Sequence, residues 1–190
     1  MTDLVAPTVA LHTSWLQARD EWPGGHQDGS GLRPDDDVET SAGFAAWVDR
    51  LTRQADPTTP VEPGQVHATR WWMVEQGTYL GVIDVRHGLT PLMLEAAGNI
   101  GYSVRPTARG RGVATWALGA VLPRARQLGL TRVLLTCDEQ NVPSARTIEG
   151  NGGVLEDVRD TVLGRKRRYW IELSATMPAA GRTDLPDPRG

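Results

Sequence analysis

Apolar and polar positions follow two periods along this chain, and the change from one to the other divides it. In PTVALHTSWLQARDEW (Pro7 to Trp22), Leu11, Trp15 and Ala18 fall near a 3.6-residue spacing behind a proline suited to a first helical turn, which predicts a helix over 7–22. SAGFAAWVDRLTRQA (Ser41 to Ala55) sets Phe44, Trp47, Val48 and Leu51 on one face and predicts a second helix. Gly, Pro and Asp crowd 23–37 and 56–64, which read as loops. From about His67 the period becomes that of strands. ATRWWMVEQ and YLGVIDVRH flank Gly77 at hairpin spacing, NIGYSV (99–104) follows as a third strand, and TRVLLTCD (131–138) reads as a buried one. RGVATWALGAVLPRARQLG is the long helix between these last two, and NVPSARTIEGNGG (141–153) a short helix closed by glycine. VLEDVRDTV and RRYWIEL then pair around Leu163 and Gly164. Helices, antiparallel strands and a strand-helix-strand-helix unit imply an α/β fold, more closely α+β, with a mixed sheet flanked by helices. From Ser174 the chain is Pro/Gly-rich without a packing pattern, and 174–190 is expected to be a tail.

Composition narrows this picture. With 190 residues and 39% hydrophobic side chains, the chain can bury one sizeable core, so 1–173 reads as a single domain. Cys137 is the lone cysteine, which excludes an internal disulfide and suits a reducing cytoplasm. The first residues lack a basic stretch and an unbroken apolar run, so neither a signal peptide nor a membrane span is expected. A net charge of −3 argues against nucleic acid as a partner. Lys166 is the only lysine among 20 basic residues, a skew that codon usage explains and that weakens arguments from arginine alone.

One stretch asks for more. VRPTARGRGVAT (Val104 to Thr115) places three arginines and two glycines where a strand ends and a helix begins. Free N–H groups and the positive end of the helix dipole meet an anion there, and glycines let backbone approach it. A second segment lies beyond the next strand: in NVPSARTIEGNGG, Asn141 is placed to cap the helix and Ser144 sits three positions on.

Together these segments resemble the GNAT superfamily of acetyl-coenzyme A dependent acyltransferases, in a bacterial and largely uncharacterised branch. The order of VIDVRH, GNIGYSVRP, RGRGVA, TCDEQN, NGGVLE and RYWIEL carries the likeness, which runs from about Arg70 to Leu173. The resemblance implies a GNAT fold, with a mixed, mostly antiparallel sheet of about seven strands flanked by about four helices. In that fold 67–173 holds the sheet and the acetyl-coenzyme A core, and the helical segment 1–66 borders the acceptor. IGYSV matches the fourth strand, which splays from the next to admit the pantetheine arm. Carried over, Val104 offers main-chain groups to pantetheine and thioester. Arg109, Gly110, Arg111, Gly112, Val113, Ala114 and Thr115 surround the pyrophosphate, and Asn141 and Ser144 line the far side of the arm. Many members carry a tyrosine acid four residues after the motif serine; here that position is Ile148.

The resemblance implies acetyl transfer from acetyl-CoA, bound as cosubstrate, directly to a primary amine. The expected partner is a small-molecule amine, with a peptide or protein amine or a binding module without turnover as alternatives; a homodimer is compatible with it, and no metal is expected. Acyl transfer needs a neutral amine and a polarised carbonyl. His87 has a suitable intrinsic pKa for the base, Glu95 precedes the fourth strand, and Tyr102 shares a face with Val104. Each also has a structural reading, as a turn residue, a solvated carboxylate and a packed ring. Ser144 and Tyr102 are the candidate acids. Cys137 reads as a core residue rather than a nucleophile. Adjacent Trp71 and Trp72 face opposite ways, and one could wall the acceptor cleft; the Asp35–Asp37 run reads as a helix approach or an attractor for a cationic amine.

Overall fold

Residues 1–22 and 27–173 are described by a computed structural model, and the expected tail, 174–190, lies outside the described residues. The second helix forms over the expected residues as α2 (Ser41–Ala55), with the Thr40 side chain accepting from the Gly43 N–H at its start. The first differs: a 3₁₀ turn at Val9–Leu11 leads into α1 (His12–Asp20), because Thr8 caps the earlier turn. Before it, β1 (Thr2–Val5) is a strand that periodicity does not announce. Strands β2 (Ala68–Glu75) and β3 (Thr78–Arg86) form the hairpin, and β4 (Ile100–Val104) runs beside β3. Then come α3 (Val113–Gln127), β5 (Arg132–Asp138), α4 (Val142–Glu149), β6 (Val154–Thr161) and β7 (Gly164–Glu172).

Among the described residues, seven strands lie in two antiparallel sheets, β1-β2-β3-β4 and β5-β7-β6. Alternation along β2 and β3 sends neighbouring side chains into different cores. Trp72 and Val82 join Trp15, Phe44, Trp47 and Leu51 under α1 and α2. Met73, Ile83 and Val85 join Leu118, Val121 and Ile148 under α3 and α4. The first core accounts for much of the tryptophan content: the Trp15 and Trp47 ring centroids are 5.0 Å apart, Trp47 and Trp72 5.8 Å, and Trp72 meets the edge of Tyr79 at 5.4 Å.

The two sheets touch at Asn99. Its N–H donates to the Leu134 carbonyl at 2.6 Å, its side-chain oxygen accepts from the Leu134 N–H at 2.9 Å, and its amide donates to the Arg86 carbonyl at 3.2 Å. Beyond this clasp β4 and β5 belong to different sheets, so the split opens along β4 toward Val104. A π-helical turn at Met93–Ala97 closes the lower end, where the Thr136 hydroxyl donates to Ala96.

A buried charge fixes the other flank. Asp84 on β3 is 1% exposed and accepts the Gly101 N–H of β4 at 2.9 Å. The Arg86 Nε lies 3.4 Å from it and the Arg70 guanidinium 3.9 Å. Arg70 is itself buried and donates to the Gly29 carbonyl at 3.1 Å and to Gln54 at 2.8 Å, so the network pins the 27–31 loop onto β4. Burial pulls the Arg70 pKa down and Asp84 opposes that pull. Replacing Asp84 by Ala leaves two guanidinium groups without their carboxylate. The expected loss is about 3 kcal/mol or more by urea denaturation, with Asp84→Asn losing less because it keeps an acceptor for Gly101; an Asp84→Ala variant within about 0.5 kcal/mol of wild type would refute this role.

Candidate active site

The split sheet exposes one edge of β4 to the cleft. Gly81 of β3 faces Val104, and the Arg105 N–H donates to the Leu80 carbonyl at 2.7 Å. N–H groups alternate along a strand, so the Val104 N–H points the other way, into the opening. It is an aimed donor on the unpaired side of an outer strand.

Past Val104 the chain makes a short 3₁₀ turn, Pro106–Ala108, and then a glycine loop. Gly110 (φ 74°) and Gly112 (φ 76°) both adopt left-handed backbone, which L side chains resist. A Cβ at either would meet no atom within 4 Å, so conformation rather than crowding calls for glycine, and the space above the loop is open. Gly112 is the N-cap of α3 and offers no side-chain cap, which leaves the first-turn N–H groups directed at that space.

The arginines of the hinge are engaged elsewhere. Arg105 pairs with Glu21 at 2.6 Å, and Thr107 donates its hydroxyl to the same carboxylate at 2.8 Å. The Arg105 hydrogen bond, helped by Thr107 against a desolvation cost, pushes the Glu21 pKa down to about 2. Arg109 donates Nε to the Val104 carbonyl at 3.0 Å and lies over Trp22, 5.4 Å from the ring centroid. Arg111 pairs with Glu75 of β2 at 2.6 Å. These side chains brace the loop from Glu21, Trp22 and Glu75, so an anion at the loop would meet backbone N–H groups.

Across the split, the Tyr102 hydroxyl and Ser144 Oγ are 2.8 Å apart, with the Ser144 carbonyl 3.3 Å from the same hydroxyl. Asn141 accepts the Ser144 N–H at 3.1 Å, so it caps α4 and orients that serine in one contact. Burial, the largest effect, raises the Tyr102 pKa to about 12, against the lowering effect of Ser144. Cys137, next to last in β5, lies in the core beside them, and burial pushes its thiol up as well, which keeps it protonated. Ile148 is fully buried, and a Cβ on Gly153 would fall 2.4 Å from its Cγ2, so it belongs to the core and not to the cleft.

The other candidates lie apart. Ile83 faces Tyr102, which puts His87 four residues, or about 13 Å, further along β3 toward the closed end. There His87 is 2.8 Å from the Thr69 hydroxyl and stacks on His67, and burial lowers its pKa. Glu95 is exposed in the π-helical turn, where its charge acts on Arg159 of β6. Trp72 is buried in the core of α1 and α2, and Trp71 lies under Arg124 of α3. Asp36 pairs with Arg50 and accepts the Arg33 N–H, while Asp37 accepts from Thr40 at 2.7 Å, so both shape the approach to α2.

Asp28 is a residue that the sequence does not single out. Its carbonyl accepts the Ser103 hydroxyl at 2.8 Å, which sets it against β4, and its charge acts on the Tyr102 hydroxyl. Glu21 is another. Neither carries a local signal: one lies in a Gly/Asp-rich loop, and the other meets its arginine 84 residues away.

The split sheet thus leaves an open strand edge that leads into a left-handed glycine loop at an uncapped helix N-terminus. The family profile of the acetyltransferase (GNAT) domain matches residues 12–154, and the chain belongs to that family. Among solved structures, a ribosomal-protein-S5-alanine acetyltransferase from Vibrio fischeri superposes with a TM-score of 0.67 at 15% identity, covering 93% of this chain and 94% of the other. The microcin C7 self-immunity acetyltransferase MccE, solved with acetyl-CoA and AMP, gives 0.63 at 15% identity over 90% and 92%. A ribosomal L7/L12 α-N-protein acetyltransferase in complex with coenzyme A gives 0.61 at 18% over 90% and 93%. No curated protein sequence matches significantly. Among the described residues no helix is long and apolar enough to cross a membrane.

The Glu21 contacts predict a pH signature. Its folded pKa lies below the ordinary 4.5, so the unfolded chain binds more protons between about 4.5 and 2, and stability falls with pH through that window. Glu21→Gln should cost about 1 kcal/mol at neutral pH, and the gap to wild type should close as pH falls toward 2 in urea titrations. A gap that stays constant down to that pH would remove the ion pair as its source.

Proposed function

We propose that the protein binds acetyl-CoA along β4 and transfers the acetyl group directly to the primary amine of a small molecule. The observation that carries this is the Val104 N–H on an unpaired strand edge leading into the Gly110–Gly112 loop, a geometry that suits a thioester at one end and a pyrophosphate at the other. Asn141 and Ser144 line the opposite wall, and 1–66 supplies the acceptor side through the 27–31 loop. Residues 67–173 hold the cosubstrate.

The amine lone pair attacks the carbonyl carbon as the Val104 N–H takes up the charge developing on oxygen. An N–C bond forms, the C–S bond breaks, and coenzyme A leaves as its thiolate. Tyr102 and Ser144 hydrogen-bond that thiolate. A phenol held at about 12 is a much weaker acid than a thiol of about 8.5, so Tyr102 stabilises the leaving group without surrendering its proton. The ammonium proton passes to water or to a carboxylate on the acceptor side, where the charge of Asp28 acts on the Tyr102 hydroxyl.

A second reading takes a peptide or protein amine as acceptor, and the neighbours named as ribosomal-protein acetyltransferases favour it. Free-thiol release measured with amines, amino acids and N-terminal peptides separates the two, and no release with any acceptor would favour a binding module. Binding itself is tested by Gly112→Asp, which sets a like charge in the open space above the loop. Calorimetry should show no detectable acetyl-CoA binding by the folded variant, and unchanged affinity would refute the loop as the phosphate site. The rate should rise with pH as the acceptor amine deprotonates and then plateau, with Tyr102→Phe lowering kcat about tenfold and leaving the profile's shape intact. A descending limb between pH 8 and 10 that disappears in Tyr102→Phe would instead make Tyr102 the proton donor.

A further inference from the structure

Six of the seven tryptophans have a ring or cation partner. Trp15, Trp47 and Trp72 are buried in the aromatic core, and Trp22, Trp71 and Trp170 each lie beneath an arginine. Trp116 has neither among the described residues, and at 40% it is the one tryptophan counted among the exposed large apolar side chains. It also sits in the first turn of α3, four residues past Gly112 and therefore about 6 Å along the axis. Helical side chains lean toward the N-terminus, which brings the indole over the turn that receives the phosphates. An exposed indole at that place, beside a loop whose arginines are already paired, is a flat apolar shelf within a ribose's reach of the pyrophosphate.

We propose that Trp116 is the stacking platform for the adenine ring of coenzyme A. The inference rests on the coenzyme A reading above and adds the residue that recognises the nucleotide base. A purine face on an indole gains from dispersion and from apolar area removed from water, and needs no side-chain hydrogen bond. In this arrangement Gly110 and Gly112 hold the phosphates by backbone, and the base is held by one ring.

The test compares coenzyme A with 4′-phosphopantetheine, which lacks the adenosine, by calorimetry on the full chain. Trp116→Ala should weaken coenzyme A about tenfold, and Trp116→Leu, which keeps bulk without a stacking face, should do the same. Trp116→Phe should stay within about threefold of wild type. Affinity for 4′-phosphopantetheine should be unchanged in all three. Unchanged coenzyme A affinity in folded Trp116→Ala or Trp116→Leu, or equal weakening of both ligands, would overturn the platform while leaving the coenzyme A site standing. A wild-type protein that binds neither ligand would remove the coenzyme A reading and the platform with it.

Discussion

The architecture turns on one asparagine. Asn99 spends its backbone N–H and both ends of its side chain on Leu134 and Arg86, and so joins two sheets at a single level. Had backbone pairing continued past it, β4 and β5 would have zipped into one sheet, and the Val104 N–H would have been consumed as a ladder bond. An unpaired strand edge is normally a hazard, since it invites another strand. Here the edge strand is flanked on both faces, with the Tyr102 hydroxyl reaching Ser144 of α4 and the Ser103 hydroxyl reaching the Asp28 carbonyl.

Charge is used in this protein mostly as scaffolding. The hinge arginines, read along the chain, look like a phosphate socket; in space they tie the hinge to Glu21, Trp22 and Glu75. The same holds for the basic run Arg165–Arg168 of β7: Lys166 pairs with Asp138, and Arg168 is buried against Glu156 and Asp157. With the guanidinium groups used as braces, an anion at this loop would meet N–H dipoles, which are fixed in direction and require no reorganisation when charge arrives.

This division explains what can be read from the sequence. Periodicity locates α2, the β2–β3 hairpin and the order from β4 to β7 because each depends on local spacing. The glycine loop is legible because left-handed backbone leaves glycine as a signature. Asn141 and Ser144 are legible because a cap works over three residues. Asp28 and Glu21 are not, since their importance comes from β4 packing against a loop and a helix far away in sequence. His87 and Glu95 attract notice through side-chain chemistry alone, and chemistry without position cannot rank a base. The short β1 escapes because four residues at a sheet edge hold too little pattern.

That edge strand bears on how the chain assembles. Thr2 and Glu75 are 73 residues apart, yet they pair, and Glu75 in turn holds Arg111 of the loop. Closing so long a loop is entropically slow, whereas the β2–β3 and β6–β7 hairpins close over a few residues. β1 is therefore a late arrival, added to a sheet that the hairpin and the α1–α2 core have already organised. Glu75, which holds Arg111 of the glycine loop, would gain its own support from Thr2 only when that strand docked.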